Sequence, residues 1–226
     1  MIVAIDGPAG AGKSSVALRL AERLGLTLVD TGAIYRAVAH VAAERSVSIH
    51  DEAALARLLP ALARNLSFGL GVAGTQVTWG ATDISSRLRT PEMSSAASTL
   101  SAWPKVREGL LGLQRKLGRA AAAPGAVLEG RDIGTVVFPD AEAKFFLTAS
   151  AQARAERRCK ELAARGIHSS VEAVRKDQDK RDHDDSTRAT APLKQAADAL
   201  LIDSTDLDLA HVVDGIIATL RQRALI

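Results

Sequence analysis

The sequence predicts an α/β protein with a parallel, doubly wound sheet, and three observations carry that expectation. Apolar runs of strand length alternate with segments of helical periodicity. The first run, IVAID at 2–6, passes through a glycine-crowded turn straight into an amphipathic helix. One stretch in the middle switches to period two with glycine punctuation, the texture of a small antiparallel insertion rather than of the core.

Taken in order, Val16, Leu20 and Leu24 share a helical face after the first strand, and Gly25 can end that helix. TLVD at 27–30 is a second short strand. A helix runs from Ala33 through Tyr35, Val38, Ala39 and Ala42, and another covers 51–64 with Asp51 near its start. In LSFGLGVAGTQVTWGATDISSRLR, Leu66, Phe68 and Leu70 alternate with smaller residues, as do Val77 and Trp79. The insertion is therefore placed at about 65–90. Two helices follow, the second near 105–119. The stretch GAVLEGRDIGTVVF contains a buried-strand run that breaks at Glu129-Gly130, and AKFFLTAS at 143–150 is another strand. Charged helices follow within 151–189, then a strand at 199–204 and a final amphipathic helix through Leu209, Val212, Val213, Ile216, Ile217 and Leu220. The core thus comprises 1–64, 91–150 and 190–226 within a single domain.

Composition narrows the function classes. The 226 residues suffice for one substantial α/β domain. A net charge of +3, with no basic tail or block, argues against a nucleic-acid surface. The single cysteine, Cys159, excludes an intramolecular disulfide or a cysteine metal cluster. No signal-peptide pattern is evident at the N-terminus, and no apolar run approaches the roughly 18 residues of a membrane span. A cytoplasmic enzyme without a membrane partner is expected, and nothing demands more than a monomer.

Gly7-Pro8-Ala9-Gly10-Ala11-Gly12-Lys13-Ser14 has the spacing of a phosphate-binding loop: glycine, four residues, glycine, lysine, serine. Glycines let backbone N–H groups turn inward around phosphate oxygens, and the following helix N-terminus adds partial positive charge. Lys13 is placed to reach the β/γ-phosphates, Ser14 to ligate Mg²⁺, and Ser15 is the next donor along. Nucleoside triphosphate binding follows. A guanine-nucleotide switch is disfavoured, because guanine recognition in that class uses Asn-Lys-x-Asp and Asn65 is the only asparagine, with no lysine after it.

A kinase for a small anionic acceptor needs a second cationic pocket facing the triphosphate. Arg36 in DTGAIYR, Arg131 in EGRDIGT, and Arg181 and Arg188 in RDHDDSTR are the candidates. The first two follow strand ends that share one crevice in a doubly wound sheet. Each has a plainer alternative: an exposed helix residue for Arg36, a local Arg131–Asp132 ion pair, a solvated helix face for Arg181 and Arg188. Arg154, Arg157 and Arg158 fall on one helical face, neutralised by Glu156 and Glu161 or turned toward the ATP phosphates, with Arg157 the favoured contact.

DGPAGAGKSS, DTGAIYRAV, EGRDIGTVVFPDA, RDHDDSTR and APLKQAADALLIDST, in this order, resemble bacterial cytidylate kinases over nearly the whole chain. The resemblance implies transfer of the ATP γ-phosphoryl to CMP and dCMP in pyrimidine nucleotide metabolism, with Mg²⁺, a monophosphate-binding insertion and a lid that closes when both nucleotides bind. It implies that Arg36, Arg131 and Arg188 hold the acceptor phosphate, with Thr31 nearby. It further implies that Arg181 and Asp185 contact the sugar, that Ser98, Arg107 and Asp132 read the cytosine edge, and that Lys13, Arg131 and Arg188 act during transfer. A carboxylate such as Asp132 can accept from cytosine's exocyclic amine and would face a carbonyl in uracil. A kinase for UMP or AMP shares all the phosphate chemistry and differs only in the base pocket.

Overall fold

The structure, a computed structural model, describes residues 1–71, 74–121 and 123–226; of the expected insertion, positions 72 and 73 lie outside the described residues. Strands β1 (Ile2–Asp6), β2 (Thr27–Asp30), β6 (Ala126–Gly130), β7 (Ala143–Thr148) and β8 (Leu200–Asp203) form a parallel sheet in the order β2-β6-β1-β7-β8. Along β1, Val3 and Ile5 face one side and Ala4 the other, and all three are fully buried. A strand buried on both faces explains why the sequence there reads as a continuous apolar run.

Helices cover both faces. α1 (Lys13–Leu24) and α8 (Leu209–Gln222) pack through Val16, Leu20, Val213 and Ile216 against Val3, Ile5 and Phe145. On the other face, α5 (Pro104–Arg119) brings Leu111 and Leu117 to a cluster with Ala4, Leu128 and Phe138. Beside this core, α2 (Thr31–Glu44), α3 (Glu52–Asn65) and α4 (Pro91–Leu100) share a second cluster with α5 and the antiparallel strands β3 (Leu66–Gly71) and β4 (Gly74–Trp79), and the short exposed strand β5 (Thr82–Asp83) pairs with β4. Both tryptophans lie at this cluster. Trp103 Nε1 donates to the Ile49 carbonyl at 2.9 Å, and the Arg45 guanidinium stacks over the Trp79 ring. α6 (Ala151–Ala163) and α7 (Val171–Thr187) form a hairpin held by Ala155, Leu162 and Val174.

The segment after β6 leaves the sheet where the sequence places the break. The strand runs through Gly130, and GTVVF does not extend it: Ile133–Val137 form a π-helical turn, with Val137 N–H donating to the Asp132 carbonyl and Phe138 N–H to that of Ile133. Asp6, at the end of the neighbouring strand β1, caps this turn. Its two carboxylate oxygens accept from Ile133 N–H at 2.8 Å and Gly134 N–H at 2.7 Å. Burial pushes the Asp6 carboxyl up to about 6, against the opposing pull of those two donors. No helix among the described residues is long and apolar enough to cross a membrane.

Candidate active site

The carboxyl ends of β1, β2 and β6 open into a cleft of about 740 Å³. Gly7 takes φ 148° there, and a Cβ on it would stand 2.0 Å from the Leu147 carbonyl oxygen, so only glycine lets the loop leave β1 this close to β7. The cleft is lined by the loop from Ala9 through Ser15, while Gly7 and Pro8 lie behind it. Lys13 is buried, and its Nζ donates to the Pro8 carbonyl at 2.7 Å. Burial, reinforced by the nearby Arg131 charge, lowers its pKa to about 7. An ammonium held this way gains most from an incoming anion.

Ser14 Oγ donates to Glu129 Oε1 at 2.5 Å. Glu129 is buried at the end of β6; burial, then the charge of Asp30, raises its pKa. A hydroxyl and a carboxylate are the hard oxygen donors that Mg²⁺ takes, and they stand beside the phosphate loop. Among the described residues no group of three or more His, Cys, Asp or Glu side chains is arranged to hold a metal alone. The donor set therefore fits an ion that also takes ligands from a bound phosphate chain.

The cationic residues expected in a second pocket all line this same cleft. Arg36 Nη2 pairs with Asp30 Oδ2 at 2.7 Å, and the other oxygen of Asp30 caps α2 by accepting from Ala33 N–H. Arg131 does not pair with its neighbour Asp132. Its Nε donates to Asp185 Oδ2 at 2.9 Å, across 54 residues of sequence. Asp132 is instead paired with Arg107 Nη2, and its Oδ1 lies 3.8 Å from Arg188 Nη2. Arg107 is buried, lies over the Tyr35 ring and also donates to the Ser101 carbonyl at 3.1 Å. Arg188, the C-cap of α7, has Nη1 3.3 Å from Asp185 Oδ1 and donates Nε to the Ala191 carbonyl.

Helices α7 and α6 divide their charges among several partners. Arg181 and Asp185 belong to one helix, but Asp185 serves Arg131 and Arg188 while Arg181 lies 3.9 Å from Asp177. Burial, with the Arg131 charge behind it, lowers the pKa of Arg181; burial and Arg107 do the same to Arg188. The α6 arginines do not act as one face. Arg154 is buried and bound to Asp182, and Arg157 donates to Ser204 Oγ and to the carbonyls of Ser204 and Thr205. Arg158 pairs with Glu161, whereas Glu156 accepts from Gln152 rather than from an arginine. Arg157 and Arg158 line the cleft. Thr31 is buried at the cleft wall with its hydroxyl donating to the Glu129 carbonyl at 2.7 Å, and Ser98 lines the wall from α4.

Sequence reasoning missed Asp6, Asp30 and Asp182, and gave Arg154 a place on the α6 face but not its contact with the phosphate loop. Asp30 carried a usable signal, an aspartate before a helical pattern with Arg36 six residues on. The others act across the fold and carried none.

Against known protein families, the chain matches the model described as Cytidylate kinase over residues 3–222. It is 46% identical over 222 residues to the cytidylate kinase of Shouchella clausii (strain KSM-K16), covering 98% of this chain and 96% of that one. It is 48% identical to the cytidylate kinase of Citrifermentans bemidjiense (99% and 94% covered) and 44% identical to that of Streptococcus pneumoniae strain 70585 (98% and 97%). Among solved structures, an uncharacterized protein from Eubacterium ventriosum ATCC 27560 aligns over 98% of both chains with a TM-score of 0.51 at 14% identity, a likeness of fold alone. By family model and by relatives along its whole length, the chain belongs to the cytidylate kinase family.

Proposed function

We propose that this phosphotransferase moves the γ-phosphoryl of ATP to CMP or dCMP, releasing ADP and CDP or dCDP. One observation supports the reading above the others. Arg36 Nε, Arg181 Nε and Arg188 Nη2 are buried without a hydrogen-bond partner among the described residues, on side chains that line the same cleft as Lys13. Buried donors left unpaired are costly, and an anion of several oxygens satisfies them together.

The loop from Gly7 to Ser15 receives the ATP phosphates, with Lys13 along the β/γ-phosphates and Arg157 on the donor side. Arg36, Arg131 and Arg188 hold the acceptor phosphate beside Thr31, with Arg181 and Asp185 at the sugar. An ionised acceptor oxygen forms the new P–O bond as the bond from the γ-phosphorus to the β-bridging oxygen breaks, and the electron pair leaves with ADP. No general base is needed, because the nucleophile carries its charge already. Positioning and charge neutralisation by Lys13, Arg131 and Arg188 supply the rate. Ser14 would hold Mg²⁺, with Glu129 beside it, and the ion when bound offsets charge on the phosphate chain.

Arg107 occupies Asp132 Oδ2, and Oδ1 is beyond hydrogen-bonding distance of Arg188. That oxygen is free to accept the cytosine amine, with Ser98 on the same wall. Residues 65–90 serve as the monophosphate-binding insertion and 151–189 as the lid, in a cytoplasmic monomer. A coupled ADP-release assay against CMP, dCMP, UMP, AMP and GMP tests the assignment. CMP and dCMP should each give turnover at least tenfold above the other acceptors. ADP release that cytosine nucleotides do not accelerate would refute it.

A further inference from the structure

Ala9 sits inside the phosphate loop, and both of its backbone polar groups are held by side chains from far along the chain. Its N–H donates to Asp182 Oδ1 at 2.9 Å, and its carbonyl accepts from Arg154 Nη1 at 2.8 Å. Asp182 Oδ2 closes the ring by pairing with Arg154, whose Nε is fixed on the Ala149 carbonyl at 3.1 Å. Gly10 continues the contact: a Cβ there would lie 2.3 Å from Gln178 Nε2 and 3.2 Å from Arg154 Cβ. Gln178 in turn approaches the Arg154 carbonyl. The shape of the loop at 9–10 is thus set by α6 and α7.

A largely buried ion pair is weak evidence for stability, since desolvation offsets most of the attraction. Its placement suggests another use. Gln178, Asp182 and Asp185 follow one another along α7 at steps of four and three and share one face, and Arg188, three residues further on, is the C-cap of the same helix. Asp182 bonds the phosphate loop, Gln178 packs beside Gly10, and Asp185 holds Arg131 and Arg188. A helix is stiff along its axis, so a shift of the Ala9 peptide is carried to the acceptor arginines.

We infer that Arg154 and Asp182 are positioning residues that couple occupation of the phosphate loop to affinity for the acceptor nucleotide. This rests on the assignment of the loop to the donor and of Arg188 to the acceptor. Coupling of this kind is reciprocal: ATP tightens CMP by the factor by which CMP tightens ATP.

Calorimetric titration of CMP, alone and with a saturating non-transferable β,γ-imido analogue of ATP, gives that factor directly. Wild type should bind CMP on the order of tenfold more tightly with the analogue present. The double variant Arg154→Met, Asp182→Leu removes both charges and leaves no lone buried ion; its factor should fall to about one. Arg154→Lys keeps the charge but loses the forked contact, and serves where the double variant does not fold; its factor should fall at least threefold. A wild-type factor of one, or a wild-type factor retained in the folded variants, overturns the inference, even if CMP affinity itself has dropped. Wild type that binds no CMP under either condition refutes the site assignment instead.

Discussion

Arg188 carries an Nη2 with no hydrogen-bond partner among the described residues, facing Asp132 at 3.8 Å. On the proposed assignment of Arg188 to the acceptor phosphate, such an open donor is worth most when charge moves during transfer. Arg188→Ala should therefore lower kcat on the order of 10²- to 10³-fold while KM for ATP changes less than about threefold. Steady-state kinetics at varied ATP check this, and an unchanged kcat would remove Arg188 from the mechanism. Asp132→Asn replaces an acceptor by a group that also donates, so the preference for CMP over UMP should narrow at least tenfold in kcat/KM. Arg36 and Arg131 were legible from short motifs beside strand ends. The distant partners of the arginines were not: Arg107 and Asp132 are 25 residues apart, Arg154 and Asp182 are 28, and Arg131 and Asp185 are 54. Local patterning says that a cation sits at a strand end but not which distant carboxylate holds it.

At the scale of elements, α2 shows one side chain serving two tasks. Asp30 caps the helix with one oxygen and orients Arg36 with the other. Asp30→Asn retains a capping oxygen and loses the charge, so stability should move by less than about 0.5 kcal/mol while KM for CMP rises several-fold. Asp30→Ala should cost about 1 kcal/mol in addition. Urea denaturation alongside acceptor kinetics separates the two, and equal destabilisation by both variants would contradict the division of labour. The main elements were readable because period two, period 3.6 and continuous apolar runs each match a distinct burial pattern. The π-helical turn was not: GTVVF has the β-branched composition of a strand, and side chains from distant elements hold it as a turn, Asp6 of β1 at its start and Arg115 of α5 at the Val136 and Val137 carbonyls.

For the molecule as a whole, Asp6 links that turn to the stability of the fold. Its folded pKa is about 6 against a usual 3.8, so between these values the native protein retains a proton that the unfolded chain has lost. The contribution of this group is complete below about pH 4, declines as pH rises to about 6, and is level above, a change of about 3 kcal/mol. In Asp6→Asn that titration is absent. The unfolding free energy of wild type minus that of the variant should therefore fall by up to about this amount between pH 4 and 7. A difference that stays constant with pH would show that Asp6 does not titrate in this range.

Both tryptophans of the chain, Trp79 and Trp103, belong to the cluster shared by α2 to α5 and the antiparallel strands, and neither lines the cleft at the phosphate loop. Their ultraviolet emission is therefore a label-free reporter confined to one side of the molecule. A colour or intensity change on adding a nucleotide signals rearrangement around that cluster, with no dye to attach and no residue to replace.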